Sequence, residues 1–173
     1  LPTEPILFLA PPSSLGGNQV RLPLDRTQQP DYEGEIAVVL GRSLYRADPA
    51  EASQAVAGVT PANDLTARDL LSKGSPLLAK SFPGFTQLGP EPRRIEGELP
   101  EIGVRTWVNG ELRQEDTSAG LIFPVPELLS RISYHARLNP GDVVLTGTPS
   151  GTGQDLGVYL RPGDEVTVEV DGA

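Results

Sequence analysis

Residues 31–41 read DYEGEIAVVLG, and this stretch decides the fold. Its run Ile36–Leu40 is apolar and rich in β-branched side chains, and Gly41 closes it, a pattern typical of a buried β-strand. Elsewhere, 19 glycines and 18 prolines separate short apolar runs without a repeating period. That arrangement predicts many turns between short strands. We therefore expect an α+β fold that is mostly β, in one domain over residues 1–173.

A few short helices are predicted around this strand. Residues 48–57 have helix composition, with Asp48 as the N-cap and proline at the first helical position. Thr66 and Asp69 have capping-box spacing and predict a short helix through Leu71. Residues 125–137 carry leucine and isoleucine at helical spacing.

Turn signals lie between the remaining apolar runs. Asn109-Gly110 is the strongest of them and predicts a hairpin over residues 104–113. Two similar segments, 138–144 and 160–166, each contain a Pro-Gly turn that leads into a strand.

Charge and composition exclude several classes of function. The formal net charge of −9 argues against binding to nucleic acid or to an anionic membrane surface. The chain has no cysteine, so thiolate catalysis and cysteine-based zinc sites are excluded. No stretch approaches the ~18 apolar residues of a membrane span, and no secretion signal is visible. We expect a cytoplasmic protein, and because the chain begins at Leu1 and contains no methionine, we expect an N-terminal segment to be absent from it.

Three carboxylates form a candidate metal site. Side chains alternate along a strand, so Glu33 and Glu35 point to the same face and extend a buried row. Asp64 supplies a third acid, and such a set suits Mg²⁺, Mn²⁺ or Ca²⁺, which prefer oxygen ligands. The alternative is that Glu33 and Glu35 are simply exposed at the start of a strand.

Two cations and one loop support the metal interpretation. Arg68 lies four residues after Asp64 and would share its helical face if the helix begins that early. Lys80 lies in an apolar setting, where a lysine is either paired with a carboxylate or functional. The loop 146–153, rich in glycine and threonine, follows an apolar run and can offer N–H groups and hydroxyls to an oxyanion, although such a loop is more often only a turn.

Seven blocks, in order, carry a resemblance to a known family. They are Pro5–Leu15, Asp31–Glu35, Asn63–Asp69, Ala79–Phe82, Val108–Gln114, Ile122–Phe123 and Pro140–Pro149. Their order and spacing over essentially the whole chain resemble the fumarylacetoacetate hydrolase family.

The resemblance implies a fold, a metal and a set of site residues. The fold would be the mixed β-roll or sandwich of the family's C-terminal domain, in a homodimer. Glu33, Glu35 and Asp64 would hold Mg²⁺ or Mn²⁺, and Lys80 and Arg68 would contact the substrate. In the loop, Gly147 and Thr148 would bind the carboxylate end of a small 2-oxo acid or its enol.

The chain departs from the family pattern at three places. Family hydrolases activate water with a His–Glu pair on a segment upstream of Pro5, and this chain begins after that segment. Its one histidine, His135, falls in the predicted 125–137 helix and is interpreted as a surface or packing residue. Ala10 stands where many relatives have lysine, and Leu71 where some have glutamine.

Several functions stay open at this point. The first is C–C hydrolysis of an acylpyruvate or a fumarylacetoacetate-like β-diketo acid in aromatic-compound catabolism. The second is isomerisation or decarboxylation of a 2-hydroxyhepta-2,4-diene-1,7-dioate or of oxaloacetate, which needs only the metal and a proton shuttle. The third is a catalytically inactive metal-binding scaffold. A two-carboxylate glycosidase is disfavoured, because the third acid would be superfluous.

Overall fold

The computed structural model describes residues 2–18, 24–71 and 74–173. The strands in these residues are β1 Leu15–Gly16, β2 Pro30–Asp31, β3 Gly34–Leu40, β4 Val56–Asp64, β5 Thr66–Ala67, β6 Thr86–Leu88, β7 Arg93–Arg94, β8 Gly103–Val108, β9 Glu111–Thr117, β10 Val143–Leu145 and β11 Val166–Val170. The α-helices are α1 Pro49–Gln54, α2 Arg68–Leu71, α3 Pro76–Lys80, α4 Val125–His135 and α5 Gly153–Leu156. The expectation of an α+β, mostly β fold with a few short helices is confirmed.

Strand β3 lies inside the largest sheet. The order of that sheet is β1-β6-β4-β3-β10, with β7 also pairing with β4. All pairs are antiparallel except β1 with β6. Ile36, Val38 and Leu40 of β3 are buried in the main apolar core, together with Leu129 of α4. The apolar run that predicted a buried strand is therefore an interior strand of the sheet, between β4 and β10.

A second sheet and a short ribbon border the start of β3. The second sheet has the order β11-β8-β9, and the ribbon pairs β2 with β5. A smaller core that includes Tyr32, Phe85 and Val108 fills the space beside them. The two sheets approach so closely at Gly34 that a Cβ there would lie 1.8 Å from Oγ1 of Thr106 in β8. Only glycine fits at this position, which brings the beginning of β3 against β8.

The first predicted helix is shorter than residues 48–57. Asp48 caps α1 and forms a capping box with Glu51, as the sequence indicates. The helix ends at Gln54, however, and Val56 begins β4. Val56 and Val59 are buried in the main core, so burial in a strand paired with β3 outweighs their local helix composition.

The predicted capping box at Thr66 is wrong. Thr66 lies in β5, and its hydroxyl donates to the carbonyl oxygen of Asp64 and accepts from Lys80. Helix α2 begins only at Arg68. Asp69 instead accepts hydrogen bonds from the Thr27 hydroxyl and the Gln28 N–H. Thr66 and Asp69 therefore bond to other parts of the chain and do not form a capping box with each other.

The remaining local predictions are confirmed. Asn109 and Gly110 both have positive φ, 53° and 80°, and join β8 to β9 in a hairpin. Helix α4 covers most of 125–137, and His135 is exposed at its end. The two Pro-Gly turns are alike, since Asp142 and Asp164 each accept a hydrogen bond from the backbone N–H three residues earlier. In the residues described, no helix is both long and apolar enough for a membrane crossing.

Candidate metal centre

The three predicted metal ligands meet where β3 and β4 run side by side. Glu33 directly precedes β3, Glu35 lies in it, and Asp64 ends β4. The antiparallel register pairs Gly34 with Asn63, and the Asp64 N–H donates to the Glu33 carbonyl oxygen at 2.9 Å. One carboxylate oxygen from each residue lies within 4.8 Å of the others. Glu33, Glu35 and Asp64 are only 7%, 3% and 4% exposed, which rules out the alternative of exposed acids at a strand start.

Glu35 is the least compensated of the three acids. Its Oε2 accepts a hydrogen bond from the backbone N–H of Gly147 at 2.6 Å. Burial, and then the charges of Asp64 and Glu33, raise the pKa of Glu35 to about 8. At neutral pH the metal-free site therefore keeps a proton on this carboxyl group.

Lys80 lies against the other two acids. It ends α3, and its Nζ donates to Glu33 Oε2 at 2.6 Å, to Asp64 Oδ2 at 2.7 Å and to Thr66 Oγ1 at 2.7 Å. Burial alone would lower the pKa of Lys80, but Glu33 and Asp64 outweigh it and raise this pKa. The Phe8 ring lies over the ammonium group, 5.7 Å from Nζ to the ring centroid. Lys80 is thus the paired, buried lysine that its apolar setting indicated, and it is a cation.

Arg68 contacts Asp31 and Glu33 at the site. Its Nε donates to Asp31 Oδ2 at 2.7 Å, and its Nη2 lies 2.6 Å from Glu33 Oε1. Asp64 ends β4 and α2 begins only at Arg68, so the condition for a shared helical face, a helix that already includes Asp64, is not met. Burial would lower the pKa of Arg68, but Glu33 and Asp31 raise it.

Asp31 is a site residue to which the sequence assigned no role. It is fully buried, and besides Arg68 it accepts hydrogen bonds from the N–H groups of Tyr32, Gly153 and Gln154. Its position two residues before Glu33 was the available signal. Asp31 anchors the Arg68 guanidinium and ties it to the beginning of α5.

The charges of the site fit a divalent cation. Four buried carboxylates, those of Asp31, Glu33, Glu35 and Asp64, face two cations, Arg68 and Lys80. With every group ionised, two negative charges are uncompensated, and buried charges are costly unless they are paired. The donor set consists of hard oxygens, which suits Mg²⁺, Mn²⁺ or Ca²⁺.

The predicted substrate loop borders the same cluster. Gly147 has a positive φ of 98° and directs its N–H to Glu35. The Thr148 hydroxyl donates to the Gly34 carbonyl oxygen at 2.9 Å and accepts from Gln114 Nε2 at 2.8 Å. Gln114 is buried in β9, one residue beyond the predicted hairpin, and was assigned no role from the sequence.

The two substituted family positions have different surroundings. Ala10 is exposed in the N-terminal segment, and Leu71 is partly buried at the end of α2. The apolar run that includes Ile6 and Leu9 is exposed as well.

Comparison with known proteins gives consistent matches. The family model described as "Fumarylacetoacetate (FAA) hydrolase C-terminal" matches residues 1–173. A curated relative, the 4-hydroxyphenylacetate degradation bifunctional isomerase/decarboxylase of Escherichia coli, is 40% identical over 99% of this chain and 40% of its own length.

Two solved structures share the fold. The 5-carboxymethyl-2-hydroxymuconate delta-isomerase of Mycobacterium smegmatis has a TM-score of 0.87 and 35% identity, covering 99% of this chain and 66% of that one. The fumarylpyruvate hydrolase of Pseudomonas aeruginosa, in complex with Mn²⁺ and pyruvate, has a TM-score of 0.85 and 25% identity, covering 98% and 76%. The chain therefore has the fold expected from the resemblance, and it spans less than half of the bifunctional relative.

Proposed function

Because the chain belongs to the fumarylacetoacetate hydrolase family, we propose that it catalyses a divalent-metal-dependent isomerisation or decarboxylation of a small 2-oxo acid or its enol. The observation that carries the proposal is the buried trio Glu33, Glu35 and Asp64, with Lys80 held against it at 2.6 and 2.7 Å. The isomerase and the isomerase/decarboxylase among its relatives, at 35% and 40% identity, support this class of reaction.

Glu33, Glu35 and Asp64 are the proposed metal ligands. Their oxygens suit Mg²⁺ or Mn²⁺, and Mn²⁺ accompanies pyruvate in the fumarylpyruvate hydrolase neighbour. A cation bound there would act as a Lewis acid and stabilise negative charge on the oxygen of an enolate.

Lys80 and Arg68 are proposed to act on the same developing charge. The raised pKa of Lys80 favours its ammonium form, so Lys80 stabilises the negative charge of an enolate electrostatically. Arg68, with its Nε on Asp31, is held beside Glu33 and presents its guanidinium in a fixed orientation.

The loop is proposed to hold the carboxylate end of the substrate. The N–H of Gly147 and the hydroxyl of Thr148 are already donated to Glu35 and Gly34. In the part of the chain that the structure describes, the backbone N–H of Thr148 has no acceptor, so it is the donor we assign to the substrate. The positive φ of Gly147 gives the loop the turn that this contact requires.

Product analysis by NMR tests the proposal. The protein is incubated with Mg²⁺ or Mn²⁺ and a panel of 2-hydroxydienedioates, oxaloacetate and acylpyruvates, with and without EDTA. We expect isomerised or decarboxylated product that is lost with EDTA and with the Glu35→Gln variant. Turnover that is undiminished in both controls would refute the metal-dependent mechanism. Mn²⁺ binding without turnover of any compound would favour the inactive scaffold.

Hydrolysis of a C–C bond is the second candidate. The likeness to the fumarylpyruvate hydrolase, whose structure contains pyruvate, favours it. The same experiment separates the two, because hydrolysis of an acylpyruvate releases pyruvate and a second acid in equal amounts. The homodimer, the cytoplasmic location and the single-domain organisation stay predictions.

A further inference from the structure

The Gln114 side chain closes a ring of hydrogen bonds between the start of β3 and the substrate loop. Gln114 Oε1 accepts from the Gly34 N–H at 3.0 Å, and its Nε2 donates to Thr148 Oγ1 at 2.8 Å. The Thr148 hydroxyl then donates to the Gly34 carbonyl oxygen at 2.9 Å. The ring therefore returns to the residue at which it began.

The Gln114 amide has only one orientation that satisfies its neighbours. Its second Nε2 hydrogen is donated to the Pro149 carbonyl oxygen at 2.8 Å, so both N–H groups are used. Turning the amide over would place its NH₂ group against the Gly34 N–H, which is also a donor. Because Gln114 is only 1% exposed, water would not readily replace a lost partner.

Gly34, which the ring holds at both its N–H and its carbonyl oxygen, lies between Glu33 and Glu35. Any displacement of Gly34 moves both proposed ligands. The residue before Thr148, Gly147, donates to Glu35 at 2.6 Å, so the loop and the strand are joined at two adjacent points. Gln114 belongs to β9 of the other sheet, and it thereby ties the proposed metal centre to that sheet.

We infer that Gln114 is a positioning residue that sets the spacing between the ligand pair Glu33–Glu35 and the loop at Thr148. This inference rests on the proposed function and adds to it a residue that acts through Gly34 and Thr148. It also assigns the proton of the Thr148 hydroxyl to the ring and not to the substrate.

The substitution Gln114→Met tests the inference, because methionine has a similar length and makes none of the three hydrogen bonds. Partners behind metal ligands commonly contribute 10–100-fold to metal affinity or activity. We expect the Mn²⁺ dissociation constant, measured from the EPR signal of free Mn²⁺, to rise about tenfold, and kcat/KM to fall at least as much. A variant that folds and keeps both values within about twofold of the wild type would overturn the inference.

Thr106→Ala is the matched control. Thr106 lies opposite Gln114 in the register of β8 and β9 and is fully buried. Its hydroxyl has no hydrogen-bond partner among the residues described, so alanine removes buried atoms at the same depth without breaking the ring and without adding an atom against Gly34. We expect the Mn²⁺ affinity of this variant to be unchanged; an equal loss in Thr106→Ala and Gln114→Met would show that general repacking, and not the ring, is responsible.

A double-mutant cycle with Thr148→Val gives a second readout. Each single substitution breaks the same ring. The Mn²⁺ dissociation constant of the double variant should therefore be no higher than the higher of the two single-variant values. Effects that multiply would contradict the ring. If Gln114→Met does not fold, the Thr148→Val variant alone tests the inference. An unchanged Mn²⁺ affinity of Thr148→Val would also contradict the role of the ring.

The Mn²⁺ measurement separates this inference from the proposed function. A wild-type protein that binds Mn²⁺ but turns over no 2-oxo acid refutes the proposed reaction, while the affinities still judge the role of Gln114. A wild-type protein that binds no Mn²⁺ refutes both.

Discussion

Replacing Lys80 by methionine should unfold the metal-free protein at a markedly lower temperature. Lys80 Nζ contacts Glu33 at 2.6 Å and Asp64 at 2.7 Å, and all three side chains are less than a tenth exposed. Methionine fills a similar volume but leaves the two carboxylates facing each other without this cation. The substitution therefore removes one member of a buried ionic cluster, together with its hydrogen bond to Thr66 Oγ1.

The magnitude follows from the burial of the cluster. Breaking a buried ion pair by removing one partner costs about 3–5 kcal/mol of unfolding free energy, because the remaining charge is uncompensated. In a domain of this size each kcal/mol lowers Tm by about 2–4 °C, which predicts a decrease of about 6–20 °C for Lys80→Met. Mn²⁺ should reverse part of this decrease, since a bound cation compensates the same carboxylates.

Thermal unfolding followed by circular dichroism, in EDTA and in Mn²⁺, measures this effect. Arg105→Met is the control, because Arg105 also contacts acids, Glu115 and Asp171, but on the exposed surface. Ion pairs of that kind contribute little to stability, so its Tm should stay close to that of the wild type. A Tm of Lys80→Met within about 2 °C of the wild type in EDTA would refute the reasoning that Lys80 compensates buried carboxylates.

Three further predictions concern the start of β3. Glu35→Ala should abolish metal-dependent turnover while leaving the far-ultraviolet circular dichroism spectrum intact, and full activity would remove Glu35 from the metal site. Because the pKa of Glu35 is raised from 4.5 to about 8, the folded metal-free protein binds a proton between these values that the unfolded chain releases. The stabilising contribution of protonated Glu35 is therefore fully present below pH 4.5 and is lost as the pH rises towards 8. Urea unfolding in EDTA should show a free energy of unfolding that falls more over this pH range in the wild type than in Glu35→Gln. Gly34→Ala would place a Cβ 1.8 Å from the Thr106 hydroxyl oxygen, so the unfolding free energy should fall by about 1–3 kcal/mol, and a urea midpoint equal to that of the wild type would contradict the close approach of the two sheets.

Local patterns predicted the elements well where tertiary contacts agree with them. The run Ile36–Leu40 is a buried strand because all of its side chains, on both faces of the strand, are apolar. Asn109-Gly110 forms its turn because both residues tolerate positive φ. Val56 and Thr66 show where this fails. Val56 lies in a segment of helix composition, and Thr66 begins a capping-box pattern, but each residue is buried in a strand. The free energy gained by burial outweighs the small intrinsic preference for a helix.

The candidate site was only partly predictable for a related reason. The alternation of a strand suffices to bring Glu33 and Glu35 to one side, and this prediction is confirmed by their common cluster with Asp64. The roles of Asp31 and Gln114 depend on partners far along the chain, and no local spacing encodes such a pairing.

The long-range contacts of the site have a consequence for the order of folding. Gly34 bonds to a partner 80 residues away, Glu35 to one 112 residues away and Asp31 to one 122 residues away. Contacts of such large sequence separation require the closure of long loops and slow the folding of a chain. We therefore expect the acidic cluster to assemble late, after the hairpin of β8 and β9 has formed. A metal that recognises only the assembled cluster would then slow unfolding and leave the folding rate nearly unchanged.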